Sequence, residues 1–143
     1  MLDTTTEAGA SADRRLRGET MIWLATVRSD GQPQSVPVWF LWSGETFLVY
    51  SRPGQQKLKN IGSNARAGLH LNANDRGGDV VRVEGTAALA EDVPPASQVG
   101  EYVEKYMREH HPHRLRPRRL RAGLLGRPPR DARALAGVIE GSR

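Results

Sequence analysis

The chain has 143 residues, which is enough for one domain with a hydrophobic core and too few to expect two. It contains no cysteine, which excludes disulfides, thiolate metal sites and cysteine nucleophiles. The formal net charge is +5, of which residues 1–109 contribute −2 and residues 110–143 contribute +7, so all the excess positive charge lies in the tail.

Nothing in the sequence indicates export or insertion into a membrane. The first residues lack the basic start and the apolar run of a secretory signal, and no apolar stretch approaches the roughly 20 residues that span a bilayer. We therefore expect a cytoplasmic protein with no membrane partner. Residues 1–12 are small and polar, which predicts a disordered lead.

Hydrophobic periodicity and turn residues predict antiparallel strands with helices between them. The Asp30-Gly31 pair tolerates the positive φ of a tight hairpin, so it marks a turn between two strands. Pro37 has no N–H and must therefore lie at an edge or a bulge. In chain order the predicted elements are a helix over 12–19 capped by Ser11, strands over 21–28, 33–42 and 46–51, a helix over 53–65 that begins at Pro53, strands over 66–73 and 80–91, and a helix over 94–110.

This order indicates a mainly β fold, a small barrel with helices, rather than a sheet built from βαβ units. The segments "WLATVRSDGQPQSVPVWFLW", "SRPGQQKLKNI" and "RGGDVVRVEGTAAL" resemble the split β-barrel superfamily of pyridoxamine-phosphate-oxidase-like flavoproteins, over about residues 14–109. Within it the sequence is most similar to an actinobacterial group of enzymes that use coenzyme F420, a 5-deazaflavin. The resemblance implies a cofactor-binding split barrel over residues 13–109, and a homodimer with its pocket between two subunits.

A flavin or deazaflavin needs cationic or N–H donors for its phosphate, and the segment after the third strand supplies them. Ser51 and Arg52 follow one another at the end of that strand. Lys57 and Lys59 lie on the next helix, where the alternative is that they are solvated surface lysines. The resemblance implies that Ser51, Lys57 and Asn60 lie beside the phosphate or the ribityl chain of the cofactor.

The rings of such a cofactor need a flat apolar slot. The resemblance implies that the backbone of Val36, Pro37 and Val38 runs along the ring edge. Trp39 is able to flank either the ring or a substrate, and the alternative for it is ordinary core or dimer packing. In a dimer, exposed Trp23, Trp39 and Trp42 would have somewhere to be buried.

No catalytic residue and no metal site is assigned from the sequence. His70 alternates with two leucines, which favours a hydrogen-bonded structural residue over a catalyst. The predicted function is therefore an F420-dependent oxidoreductase, in which the cofactor transfers a hydride to or from a small organic substrate. The alternatives are an FMN-dependent oxidoreductase of the same superfamily and a protein that binds the cofactor without turnover.

The Arg/Pro-rich tail, residues 110–143, departs from the superfamily, in which a final strand closes the barrel. Reading the gene one base later from about His111 permits a sequence similar to that strand, so we interpret the tail as a reading-frame error that leaves the barrel open. The alternatives are a genuine basic arm and an unrelated extension. Its nine arginines come without lysine or aromatic residues, which does not favour a nucleic-acid partner.

Overall fold

The computed structural model describes residues 2–90, 93–94, 96–109 and 133–138. Within these residues the strands form one antiparallel sheet, in the order β5-β4-β1-β2-β3-β7-β6, which curls into a half-barrel. The predicted mainly β barrel with helices is confirmed. The strands are β1 Met21–Val27, β2 Pro33–Trp42, β3 Thr46–Ser51, β4 Arg66–His70, β5 Arg82–Thr86, β6 Ala88–Ala90 and β7 Arg133–Val138. The α-helices are α1 Glu7–Gly18, α2 Gln56–Ser63 and α3 Gly100–Glu109, and a 3-10 turn spans Ala96–Gln98.

The main core lies on one face of the sheet and is closed by α1 and α2. Buried and less buried side chains alternate along β1 and β2, so that Ile22 and Val38 pair across the two strands on the core face. Leu16 of α1 is 1% exposed and packs into the same cluster as Leu58 and Ile61 of α2. The period of two in the strands and the apolar stripes of the helices therefore meet in one core.

Pro37 lies in a part of β2 that pairs on one side only among the described strands. It lies opposite Trp23 of β1. Pairing between β2 and β3 begins later, at Phe40 opposite Val49. Because proline has no N–H to donate to a second strand, its position at this open edge costs the sheet no hydrogen bond. The predicted edge position is confirmed.

The first helix begins earlier than the sequence predicts. A disordered lead before residue 13 and a cap at Ser11 are expected, but α1 begins at Glu7. Thr6 is the cap, because its hydroxyl oxygen accepts a hydrogen bond from the Gly9 N–H at 3.1 Å. The alanine-rich residues that follow favour a helix. The predicted lead is therefore wrong over its second half.

Two further boundaries differ from the prediction. α2 begins at Gln56 rather than at Pro53, because Gly54 has a φ of +77°, which belongs to a turn and not to a right-handed helix. The strand predicted over 80–91 divides at Ala87: before it β5 pairs with β4, and after it β6 pairs with β7. One predicted strand therefore contributes to both ends of the sheet.

The described part of the tail forms β7, so the expectation that the tail supplies no strand to the barrel is wrong over Arg133–Val138. β7 lies between β3 and β6, and all six residues of Arg133–Val138 pair with β3. The prolines that argue against a strand all precede residue 130, and the segment "RALAGV" keeps every N–H of its ladder. Residues 110–132 lie outside the described residues, and the reading-frame hypothesis, which concerns the gene, stays a prediction.

The hydroxyl of Tyr106 bridges the point where β1 and β2 separate. It accepts a hydrogen bond from the Phe40 N–H at 2.6 Å and has two acceptors, the carbonyl oxygens of Thr20 at 2.7 Å and Phe40 at 2.9 Å. The paired register of the two strands ends at Met21 opposite Trp39. The phenol of α3 thus takes the place of a main-chain hydrogen bond between Phe40 and Thr20.

Tyr106→Phe is expected to lower the free energy of unfolding by about 1–3 kcal/mol, because the buried Phe40 N–H loses its acceptor while the ring remains. Denaturant unfolding followed by tryptophan fluorescence measures this loss. Tyr102→Phe is the matched control, since this buried tyrosine of the same helix takes no part in the bridge between Phe40 and Thr20. Equal losses in the two variants would show that the bridge contributes nothing.

Lys105 is a half-buried cation between α1, β2 and α3. Its Nζ lies 3.7 Å from the centroid of the Phe40 ring and donates to the Leu16 carbonyl oxygen at 3.3 Å. Burial lowers the pKa of Lys105 to about 8, and the charge of Glu19 opposes the shift. At neutral pH the fold therefore holds a partly desolvated cation against a ring face and a carbonyl in the last turn of α1.

Lys105 is expected to make the free energy of unfolding vary with pH in the alkaline range. Between its folded pKa of about 8 and the ordinary value of 10.5, the unfolded chain holds a proton at Lys105 that the folded chain has released. The free energy of unfolding is therefore expected to gain a contribution as pH rises through this window. Lys105→Met should remove that contribution, as measured by unfolding at several pH values. An identical pH profile for both proteins would refute the assignment.

Candidate cofactor-binding site

The candidate site lies where β3 ends, where α2 begins, and along the half of β2 that pairs on one side only. The residues that the sequence assigns to it come from two segments, 51–60 and 36–39. The fold brings the segments together, because the Asn60 side chain of α2 donates a hydrogen bond to Gln34 of β2 at 2.9 Å. This bond joins α2 to the face of β2 that carries Val36 and Val38, whereas Pro37 and Trp39 lie on the opposite face of the sheet.

Ser51 and Arg52 differ in how much the fold covers them. Ser51, the last residue of β3, is 4% exposed, and its hydroxyl donates to the Arg52 carbonyl oxygen at 3.2 Å. Arg52 is exposed and precedes the turn at Gly54. The serine oxygen keeps lone pairs for a further donor, and the guanidinium remains in water.

Lys57 is a partly desolvated cation. It is half-buried, and burial alone holds its pKa below the ordinary value of 10.5. No side chain or carbonyl of the described residues pairs with its ammonium group. Lys59, on the same helix, is exposed to solvent. A cation that loses water without gaining a protein partner is suited to hold an anion.

The side-chain oxygen and both side-chain N–H groups of Asn60 form hydrogen bonds with other residues of the protein. Asn60 is 1% exposed, and its Oδ1 accepts from Gln56 Nε2 at 2.9 Å. Its Nδ2 donates to Thr26 Oγ1 and to Gln34 Oε1, each at 2.9 Å. The side chain therefore ties the first turn of α2 to β1 and β2. It supports the site from behind and has no remaining N–H to offer a ligand.

The β2 residues of the site alternate between the two faces of the sheet. Val38 is 7% exposed and Val36 is 36% exposed on the same face, so the core face opens to solvent toward the start of the strand. Pro37 is exposed on the other face. Trp39 shares that face and stacks on Tyr106, with centroids 4.5 Å apart and planes at 14°. Trp39 therefore packs against α3. Its contact with the cofactor ring or with a substrate stays a prediction.

Two tryptophans that the sequence offered for burial by a partner subunit differ in environment. Trp42 is 7% exposed in the core, and its Nε1 donates to Asp13 Oδ1 at 2.8 Å, so this chain already buries it. Trp23 is partly exposed, donates to Asn72 Oδ1 at 2.8 Å and stacks on His70. His70 is thus a structural neighbour of Trp23, which lies opposite Pro37 in the sheet.

Sequence reasoning missed three polar residues that shape the site, Thr26, Gln34 and Gln56. A period of two places Gln34 on the same strand face as Val36, which is the one signal available. Its contact with Asn60 joins residues 26 positions apart and depends on how α2 packs against the sheet. Such a contact follows from the tertiary fold and not from local pattern.

A separate cavity of about 370 Å³ lies between α1 and the turn joining β2 to β3. Asp13 and Arg17 line it and pair with each other at 2.8 Å. None of the predicted site residues borders it. Among the described residues no cluster of three or more histidine, aspartate and glutamate side chains is placed to hold a metal. In the same part of the chain no helix is both long and apolar enough to cross a bilayer.

Comparison with known proteins agrees with this geometry. The sequence profile of pyridoxamine 5'-phosphate oxidase matches residues 10–132, whereas no curated protein gives a significant match. An F420 reductase is 25% identical, with a TM-score of 0.63 over 90% of this chain and 93% of that one. A candidate pyridoxamine 5'-phosphate oxidase from Listeria innocua is 16% identical, with a TM-score of 0.63 and 94% of each chain covered.

The heme storage protein HutZ from Vibrio cholerae has the same fold at 14% identity, with a TM-score of 0.60 over 92% of this chain and 90% of that one. Proteins with different ligands therefore share this architecture. The profile nevertheless spans most of the sequence, and the antiparallel half-barrel of the described residues is consistent with it. The chain belongs to the pyridoxamine 5'-phosphate oxidase family, whose fold is the split barrel.

Proposed function

We propose that this protein is a cytoplasmic oxidoreductase that binds coenzyme F420 and transfers a hydride between the cofactor and a small organic substrate. The observation that carries the proposal is Lys57, a half-buried cation in the first turn of α2 without a protein partner in the described residues. When bound, the deazaflavin ring supplies the hydride chemistry.

The residues present fit such a cofactor. Lys57 and the buried Ser51 oxygen offer a cation and a polar group for a phosphate, and Arg52 and Lys59 add positive charge nearby. Val36 offers a partly exposed apolar side chain beside a strand edge that pairs with no second strand among the described residues. This combination suits a ligand that is flat at one end and anionic at the other.

The choice of F420 over FMN is supported by the similarity to an F420 reductase at 25% identity. FMN is the second candidate, because the family profile is that of pyridoxamine 5'-phosphate oxidase. A carrier without turnover is the third, since the predicted site residues include no histidine, aspartate or glutamate. Hydride transfer itself needs no such residue, which is why an enzyme remains the proposal.

Titration of the purified chain with F420 and with FMN, followed by cofactor fluorescence, separates the two cofactors. We expect saturable binding of F420, tighter than that of FMN. Reduced cofactor is then mixed with a panel of small electron acceptors, and its reoxidation is followed by absorbance. Repeated turnover supports an oxidoreductase, whereas binding without turnover of any acceptor would identify a carrier.

We also propose that the protein is a homodimer. The sheet face opposite the core is covered by α3 over Trp39 and Leu41, but Met21 is 37% exposed and Trp23 is partly exposed on the same face. A second copy of the chain would bury this apolar area. Light scattering of the eluted protein should give twice the chain mass. Met21→Glu should shift it toward one chain mass, and an unchanged dimer would contradict this interface.

A further inference from the structure

The bond between Asn60 and Gln34 fixes which end of the Gln34 amide is free. Gln34 Oε1 accepts from Asn60 Nδ2 at 2.9 Å. The direction follows from the next bond, because Asn60 Oδ1 is already used by Gln56 Nε2 at 2.9 Å. The Gln34 NH2 group therefore points away from Asn60, and it has no acceptor within the described part of the chain. Gln34 presents two N–H donors that the protein does not use.

Gln34 also occupies a defined place between the two ends of the site. It lies on the same face of β2 as Val36, two residues or about 7 Å along the strand. On its other side, the Asn60 amide connects it to the first turn of α2, where Gln56 precedes Lys57. A ligand with its ring beside Val36 and its phosphate at Lys57 must pass its linker over Gln34.

We propose that Gln34 is a positioning residue that donates a hydrogen bond to a hydroxyl of the ribityl linker between the ring and the phosphate of the cofactor. This inference rests on the proposed binding of a flavin or deazaflavin. The linker carries hydroxyl oxygens, which accept hydrogen bonds from an amide. Asn60 holds the Gln34 amide in the donating orientation, so less freedom is lost when the ligand binds.

The test compares two ligands and two variants. The ligands are FMN and an analogue in which an unsubstituted pentyl chain replaces the ribityl chain, so that ring and phosphate are the same. A matching pair is made on the 5-deazaflavin ring. The variants are Gln34→Glu, which keeps the acceptor for Asn60 but loses the donors, and Gln34→Met, which is neutral. Dissociation constants come from ligand fluorescence, or from competition where binding is weak.

We expect each variant to raise the ratio of the ribityl to the pentyl dissociation constant by about 5- to 10-fold, the effect of one lost hydrogen bond, and the neutral Gln34→Met to weaken binding of the pentyl ligand by less than about 2-fold. The charge of Gln34→Glu acts on both ligands through the shared phosphate, so it cancels in the ratio. Ser35→Ala, on the opposite face of β2, is the control and should leave both constants unchanged.

Equal weakening of both ligands, or no weakening of either, would overturn the role of Gln34 while leaving cofactor binding intact. If the wild-type protein takes up neither ring in either form, the proposed function fails and this inference fails with it. Thermal unfolding of the variants without ligand separates a binding defect from a folding defect, because Gln34→Glu retains its bond to Asn60 and should unfold as the wild type does.

Discussion

A chain that ends after Ala132 is expected to lose its cooperative unfolding transition. It lacks β7, which pairs with β3 along Arg133–Val138 and with β6 on its other side. Removing a strand from within a sheet frees the ladder groups of both neighbours and uncovers the apolar side chains beneath it. A domain has only about 5–15 kcal/mol of stability, so a loss of this size is expected to leave the chain unfolded or aggregated.

Size-exclusion chromatography and denaturant unfolding measure this effect. The matched control is a chain that ends after Val138, which keeps β7 and loses only the last five residues. It should unfold with the midpoint of the full chain. If the chain that ends after Ala132 also keeps that midpoint, then β7 does not complete the sheet. Sequencing the gene around the codons for His110 and His111 tests the reading-frame hypothesis separately.

Lys57→Gln is expected to weaken binding of the cofactor by about 10- to 100-fold, the range for a lost hydrogen bond to a charged group. The wild-type lysine is half-buried without a protein partner, so its charge is available to an anionic ligand. The stability of the protein without ligand should change little or rise, because glutamine removes a cation that burial disfavours.

Cofactor fluorescence measures the binding, and Lys59→Gln is the matched control. Lys59 lies on the same helix but is exposed, so its loss changes the net charge equally while removing only a screened, long-range attraction. We expect an effect of less than about 3-fold for this control. Comparable losses in the two variants would mean that general positive charge, and not the position of Lys57, attracts the cofactor.

The sequence predicts the strands best where local pattern decides the structure. The bounds of β2 and β3 follow from alternation and from the turns between them, and the edge position of Pro37 follows from its missing N–H. The start of α1 was not predicted, because polar composition concealed the Thr6 cap. β7 was missed because its partners are distant in the sequence and the prolines before it obscured a short segment that is free of them.

In the candidate site, too, some features follow from the sequence and others depend on tertiary contacts. Motif resemblance selects residues such as Ser51 and Lys57, which lie at the end of β3 and in the first turn of α2. It does not reveal that both N–H groups of the Asn60 side chain donate to Thr26 and Gln34, because these bonds depend on the packing of α2 against two strands. Polar contacts of this kind become predictable only after the tertiary structure is known.

The most direct test of the account is equilibrium dialysis of the wild-type chain against F420 and, separately, against FMN. The account predicts saturable uptake of one bound cofactor per chain, with F420 retained more strongly, and loss of most of that uptake in Lys57→Gln. Folded protein that retains neither cofactor would contradict the central claim that this split barrel is built around a flavin-like ligand.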